Sequence, residues 1–350
     1  MISVRKLIQA TVLALACWTT VFFSESLISM TLATQSPMTV IAAGVPRFLA
    51  EDRDYDLLFS QLADHHITAF LPTFQYQEHP TSLSLGYEAD FLPPCHADDA
   101  AFEAMRTYNI KLIVPGQLLY AIASSTDPLQ DLIACAGTDM IAAVLSIDEP
   151  FGAITDWQSP NQDVETLYNR VKTTDPNLPV MMVHAPVAAH MADADGSIHT
   201  IMSSESAFYL ETTRKLSEFS DIVGFDVYPI ARDGGTITTP QQAPRVPSNA
   251  GLFIADYLNW IHENIPGRPS FMVLQAFSFS RQYAEPPYTD LFPTQQELKL
   301  MTCQVLEYQG QTLVWWGQSF LKEGDEAFWQ SVLTVSENIA TNGRAYCSEV

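Results

Sequence analysis

Basic side chains are scarce in this chain of 350 residues. Lysine and arginine number 17 against 40 aspartates and glutamates, a formal net charge of −23. A surface that grips nucleic acid or an anionic membrane has to be basic, so both kinds of partner are excluded. The acidity itself calls for nothing more specific than solubility. Zinc chemistry lacks its usual signs too, with no CxxC pair and no Cys/His ligand spacing. There is no internal repeat, no low-complexity tract and no sign of a second domain. Hydrophobic residues make up 47% of the chain, ample for one sizeable core.

Residues 1–35 read as a signal peptide or an N-terminal anchor. Arg5 and Lys6 precede an apolar run, Leu7–Phe23, broken by Gln9 and a few threonines. The run is short for a membrane span of about 20 residues. Cleavage is expected within Ser24–Gln35, although no A-x-A-like site stands out, and Ala14–Cys17 resembles a weak lipoprotein box. Export to a periplasmic or extracellular compartment follows. Removing the leader takes Cys17 and leaves Cys95, Cys135, Cys303 and Cys347, which suits two disulfides in an oxidising compartment. Three pairings are open. The order of helices below favours Cys95–Cys135 and Cys303–Cys347, because each pair then joins neighbouring helices.

From residue 36 onward, apolar runs alternate with amphipathic stretches. The runs predict strands at 38–44, 67–71, 110–115, 140–148, 179–184, 221–227, 270–276 and 311–317. Helical patterns fall near 51–64, 98–108, 127–137, 162–174, 205–218, 250–264, 294–308 and 325–340. The helix at 294 opens with a capping box, Thr294 and Glu297. Eight strand–helix units, with strands apolar on both faces, predict a single-domain α/β fold, the (β/α)8 TIM barrel. Helix-to-strand connections are short, whereas Thr73–Ala97, Ala185–Ser204, Pro229–Asn249 and Phe277–Pro293 are long strand-to-helix loops. In such a barrel these long loops crowd the carboxyl-terminal face, where ligands bind.

The strand tips carry the polar residues. MIAAVLSIDEP (140–150) delivers Asp148 and Glu149, and VMMVHAP (180–186) delivers His184. IVGFDVYP (222–229) delivers Asp226 and Tyr228, FMVLQAF (271–277) delivers Gln275, and TLVWWGQ (312–318) delivers Trp315 and Trp316. SIDEP, LYNRVKTTDPNLPVMM (167–182), VGFDVYP, FMVLQAF and PTQQELKLMTCQVLEYQGQTLVWW (293–316) together resemble TIM-barrel glycoside hydrolases related to the large retaining clan. The likeness covers roughly half the chain in separated blocks. It implies that Glu149, at the end of the fourth strand, is the general acid. Asp148 beside it would raise its pKa. A purely structural role, capping the loop or pairing with Arg47, is the plain alternative.

Glycoside hydrolysis generally needs a second carboxyl group. The resemblance puts a nucleophilic glutamate at the end of strand seven, but Gln275 stands there and cannot attack an anomeric carbon. Asp226 is the best substitute within the barrel; Glu285 and Asp290, on the seventh loop, are fixed less firmly. Carboxyl groups about 5–5.5 Å apart would suit a retaining pair, and about 6.5–9.5 Å an inverting one. An adjacent Asp-Glu pair also resembles that of substrate-assisted hexosaminidases, where the aspartate orients the sugar's 2-acetamido group, which itself attacks. In that scheme Tyr228 and Trp315 would line the pocket.

Sugar rings stack on aromatic faces, which makes Phe74, Tyr76, Tyr228, Trp315 and Trp316 platform candidates. Alternation along a strand sends only one of the paired tryptophans inward. Arg47, Gln117, His184 and Gln275 are candidate hydroxyl or carboxylate binders, with a packed histidine as the plain alternative for His184. The expectation is a monomer acting on a carbohydrate substrate, with no cofactor and no metal. Two alternatives stand beside it: a non-catalytic carbohydrate-binding barrel that has lost its nucleophile, and a surface-anchored structural protein.

Overall fold

The computed structural model describes residues 38–50, 54–74, 83–84, 100–116, 128–151, 163–187, 190–192, 198–200, 202–230, 250–278 and 292–348. Runs rich in Val, Ile, Leu and Ala form eight parallel strands: β1 Thr39–Ala43, β2 Ala69–Leu71, β3 Lys111–Pro115, β4 Ile141–Leu145, β5 Val180–His184, β6 Ile222–Val227, β7 Ser270–Gln275 and β8 Thr312–Trp316. Each pairs with its sequence neighbours, and β1 closes the ring against β8, Thr39 facing Thr312 through Ala43 facing Trp316. The main helices are α1 Tyr55–Asp64, α2 Ala100–Thr107, α3 Pro128–Ala136, α4 Asp163–Thr174, α5 Ser203–Leu216, α6 Ala250–Asn264, α7 Gln295–Glu307 and α8 Glu326–Asn342. The expected (β/α)8 barrel is what forms.

Strand alternation divides the core in two. Ile41, Ala43, Ala69, Leu71, Ile113, Met181, Val183, Phe271, Val273 and Val314 share one cluster enclosed by the strands. Their neighbours, among them Val40, Phe70, Val114, Phe225, Leu274 and Trp315, join the layer between strands and helices. The enclosed space is narrow, and Gly224 shows it. A Cβ there would stand 2.6 Å from the Phe271 carbonyl oxygen and 2.7 Å from its ring, so the glycine yields its inward position to the phenylalanine.

The helices start and end as their sequences dictate. Thr294 Oγ1 accepts from Glu297 N at 3.2 Å, and Glu297 Oε2 accepts from Thr294 N at 2.7 Å, which completes the expected capping box of α7. His66, Asn109 and Gln309, each just past a helix, take positive φ in the turns that lead into β2, β3 and β8. The Cys303–Cys347 disulfide ties α7 to the short helix Arg344–Cys347 that follows α8. Cys135 is disulfide-bonded as well; Cys95, its expected partner, lies outside the described residues.

Candidate active site

The fourth strand is shorter than its sequence predicts. Regular pairing stops at Leu145, with one further bond from Ser146 N to Met181 O at 2.7 Å. The segment Ile147–Phe151 then turns, and its apolar ends decide its pose. Ile147 and Phe151 pack with Val164, Met182, Val187, Tyr209 and Leu216, and the Phe151 ring stacks on Tyr209 with centroids 5.4 Å apart. Glu149, between those anchors, has φ +44°, the left-handed region that a glutamate rarely occupies. Strain of this sort is of order 1–3 kcal/mol and gathers at functional sites.

Asp226 points into the barrel from β6, with 8% of its surface exposed. Its Oδ1 is buried without a hydrogen-bond partner, and Glu149, Asp148 and Tyr228 lie near enough for their charges to act on one another. Carboxyl groups crowded together out of water resist ionising together. Burial first, then the nearby charges of Glu149 and Asp148, hold Asp226 well above the ordinary carboxylate range. Asp148 itself is exposed at the turn, where solvent reaches one side. The protein packed around its other sides, together with the Glu149 charge, pushes it up to about 7. Burial also raises the phenols of Tyr209, Tyr228 and Tyr257, all of which feel the charge of Asp226.

The other sequence candidates divide sharply. Trp316 packs at the enclosed cluster and is only half-buried. Trp315 faces the other way, fully buried against α8, with Nε1 donating to Ser336 Oγ at 2.8 Å. Its role as a pocket-lining ring is therefore corrected to a core position. Trp315→Phe is expected to lower stability by about 1 kcal/mol, the value of one buried hydrogen bond. A denaturant melt checks this.

His184 is corrected in the same way. It lies on the outer side of β5, buried, with its ring 5.7 Å from that of Phe225. The Ser217 hydroxyl donates to Thr213 O at 2.8 Å, so at 2.9 Å it accepts from His184 Nε2–H. Burial pushes the imidazole down to about 3, which keeps it neutral. Gln275 is also corrected as a hydroxyl binder: its amide is wholly engaged with the backbone of Ile230 and Phe277. Arg47 starts a short helix after β1 and donates through Nε to Ser319 O at 3.1 Å, bracing the exits of β1 and β8. Tyr76, Gln117, Glu285 and Asp290 lie outside the described residues, as does the side chain of Phe74.

Sequence reading missed Tyr209 and Tyr257, which stand behind the acids. Tyr209 donates to Ala185 O at 2.6 Å, and Tyr257 accepts from Val187 N at 2.7 Å, so both fix the exit of β5. They lie on helices among apolar neighbours, and nothing in the strand-tip pattern points to them. Among the described residues, no group of His, Cys, Asp and Glu is arranged to hold a metal ion.

No family model matches the chain, and no curated protein matches it either. Solved structures do. A Bacteroides thetaiotaomicron protein assigned as an alpha-L-fucosidase shares 10% identity over 91% of this chain and 98% of its own, with a TM-score of 0.50. A family 39 glycoside hydrolase from Bacteroides cellulosilyticus shares 13% identity over 88% of this chain and 65% of its own, with a TM-score of 0.51. Identities this low speak for the fold alone. The chain is a (β/α)8 barrel structurally similar to glycoside hydrolases.

Proposed function

We propose that this protein cleaves O-glycosidic bonds of an oligo- or polysaccharide, with Glu149 as the general acid. One observation carries the reading: buried Asp226 stands near Glu149 and Asp148 at the carboxyl-terminal face of the barrel. Burial and mutual repulsion shift both Asp226 and Asp148 upward, which lowers stability, and such clusters mark sites of proton chemistry. The raised Asp226 favours its protonated form; Glu149, on its strained turn, delivers a proton to the leaving oxygen.

Gln275, which has no carboxyl group, ends β7 where the resemblance puts a nucleophile, and Asp148 adjoins Glu149. This favours the substrate-assisted route. There the oxygen of a 2-acetamido group bonds to the anomeric carbon as the leaving oxygen takes the proton, and Asp148 orients the acetamido group.

Reducing-sugar release from a panel of polysaccharides and aryl glycosides, N-acetylhexosaminides included, tests the proposal. Release confined to the 2-acetamido substrates is the expected result. Saturable binding without release would favour the carbohydrate-binding barrel, the reading for which Gln275 in place of a nucleophile speaks. The disulfides support export to an oxidising compartment. A mature protein beginning between residues 24 and 36 would accord with that.

A further inference from the structure

Glu149 keeps a backbone conformation that its own sequence argues against. It precedes Pro150, and a following proline ring pushes a residue toward extended backbone, with φ near about −120°. Its φ is instead +44°. Such a residue persists only where the structure around it over-determines the turn. The contacts that do so converge on Phe151, which is 5% exposed. Its ring lies 25° from that of Tyr209, with centroids 5.4 Å apart, and meets Phe208 edge-on at 6.1 Å. Both partners are consecutive residues of α5, and Tyr209 is the fixed one. It is 5% exposed and donates to Ala185 O at 2.6 Å, just past the end of β5, whereas Phe208 is 52% exposed. A line of contacts thus runs from the exit of β5 through Tyr209 to Phe151, two residues beyond Glu149.

We propose that Tyr209 is a positioning residue for Glu149: its ring, packed against Phe151, holds Glu149 in the left-handed conformation. The use of that pose rests on the proposed function, because a general acid has to be aimed at the leaving oxygen. The hold itself can be read with no substrate present.

The test compares glycine with alanine at residue 149. Both remove the carboxyl group, so the neighbouring acids weigh on both alike and only backbone preference separates them. Glycine enters the left-handed region freely and alanine is strained there. In extended or right-handed backbone alanine is the more stable, because glycine has more freedom to lose on folding. In the full chain Glu149→Gly is expected to melt about 2–4 °C above Glu149→Ala. Adding Tyr209→Leu should reverse that order by about 1–3 °C. Phe151→Leu takes the place of Tyr209→Leu if that variant does not fold, with the same reversal expected. Tyr209→Phe keeps the ring and loses the bond to Ala185, and glycine should stay ahead in it. On a glycoside that the protein cleaves, Tyr209→Leu should lower kcat about 10–100-fold at unchanged KM, and Tyr209→Phe should restore most of it.

Glycine still ahead in Tyr209→Leu would overturn the proposal, as would a reversal in Tyr209→Phe or an undiminished kcat in Tyr209→Leu. Alanine as stable as glycine in the otherwise unchanged chain would sink the left-handed turn and this inference with it. Failure to cleave any glycoside counts against the proposed function and leaves the hold on Glu149 standing.

Discussion

Glu149→Gln is expected to slow glycoside cleavage by about 10²–10⁴-fold, the range that a positioned general acid contributes. Glutamine keeps the shape of the side chain and a donor toward Asp226, so the turn and the pocket survive while the transferable proton is lost. The loss should depend on the leaving group. Activated aryl glycosides depart with little protonation and are expected to suffer least, whereas natural oligosaccharides need the proton in full. Substrate affinity should change little, because the acid acts mainly in the transition state. Parallel measurement of kcat and KM on an aryl and an alkyl glycoside checks this. Equal losses on both would argue that Glu149 binds the substrate rather than protonating it.

Most of the barrel was legible because its strands are short and apolar on both faces. The eight predicted strands and helices fall within a few residues of those observed, and β4 is the informative exception. Its apolar run continues to Ile147, but Ile147 and Phe151 are drawn to α4 and α5, so the strand gives way to a turn and Glu149 to a left-handed φ. No local signal announces that. Parity along a strand carries more than was taken from it. Met181 and Val183 face inward, which fixes His184 outward, and Val314 inward fixes Trp315 outward. Gln275 defeats parity altogether: it sits on an inward position, yet its partners lie on a neighbouring loop. That Glu149 would come near enough to act on Asp226 was likewise illegible, since the two follow strands with β5 between them and their approach depends on how tightly the barrel closes.

Asp226→Asn is expected to make the protein more stable, and increasingly so as pH rises. In the unfolded chain Asp226 ionises near its ordinary value of 3.8, but in the fold it keeps its proton well above that. Above pH 3.8 the folded state therefore binds more protons than the unfolded state, and stability falls with rising pH until the folded group itself ionises. Asp148 acts in the same direction up to about 7. His184 acts the opposite way between about 3 and 6.5, as does Glu211, pulled down to about 2 chiefly by Arg214, between about 2 and 4.5. These last two are common to wild type and variant and cancel in the difference. Asparagine keeps a donor toward Glu149 and removes the ionisation, so the gain should be small at pH 5. At pH 8 it should reach on the order of 2 kcal/mol, the upper range for relieving a strained functional site, or a few degrees in melting temperature. Thermal melts at pH 5, 6.5 and 8 read the difference directly. A variant that gains nothing at pH 8 would mean that Asp226 is ionised and satisfied in the fold, and Glu149 would then have to draw its proton from Asp148 or from solvent.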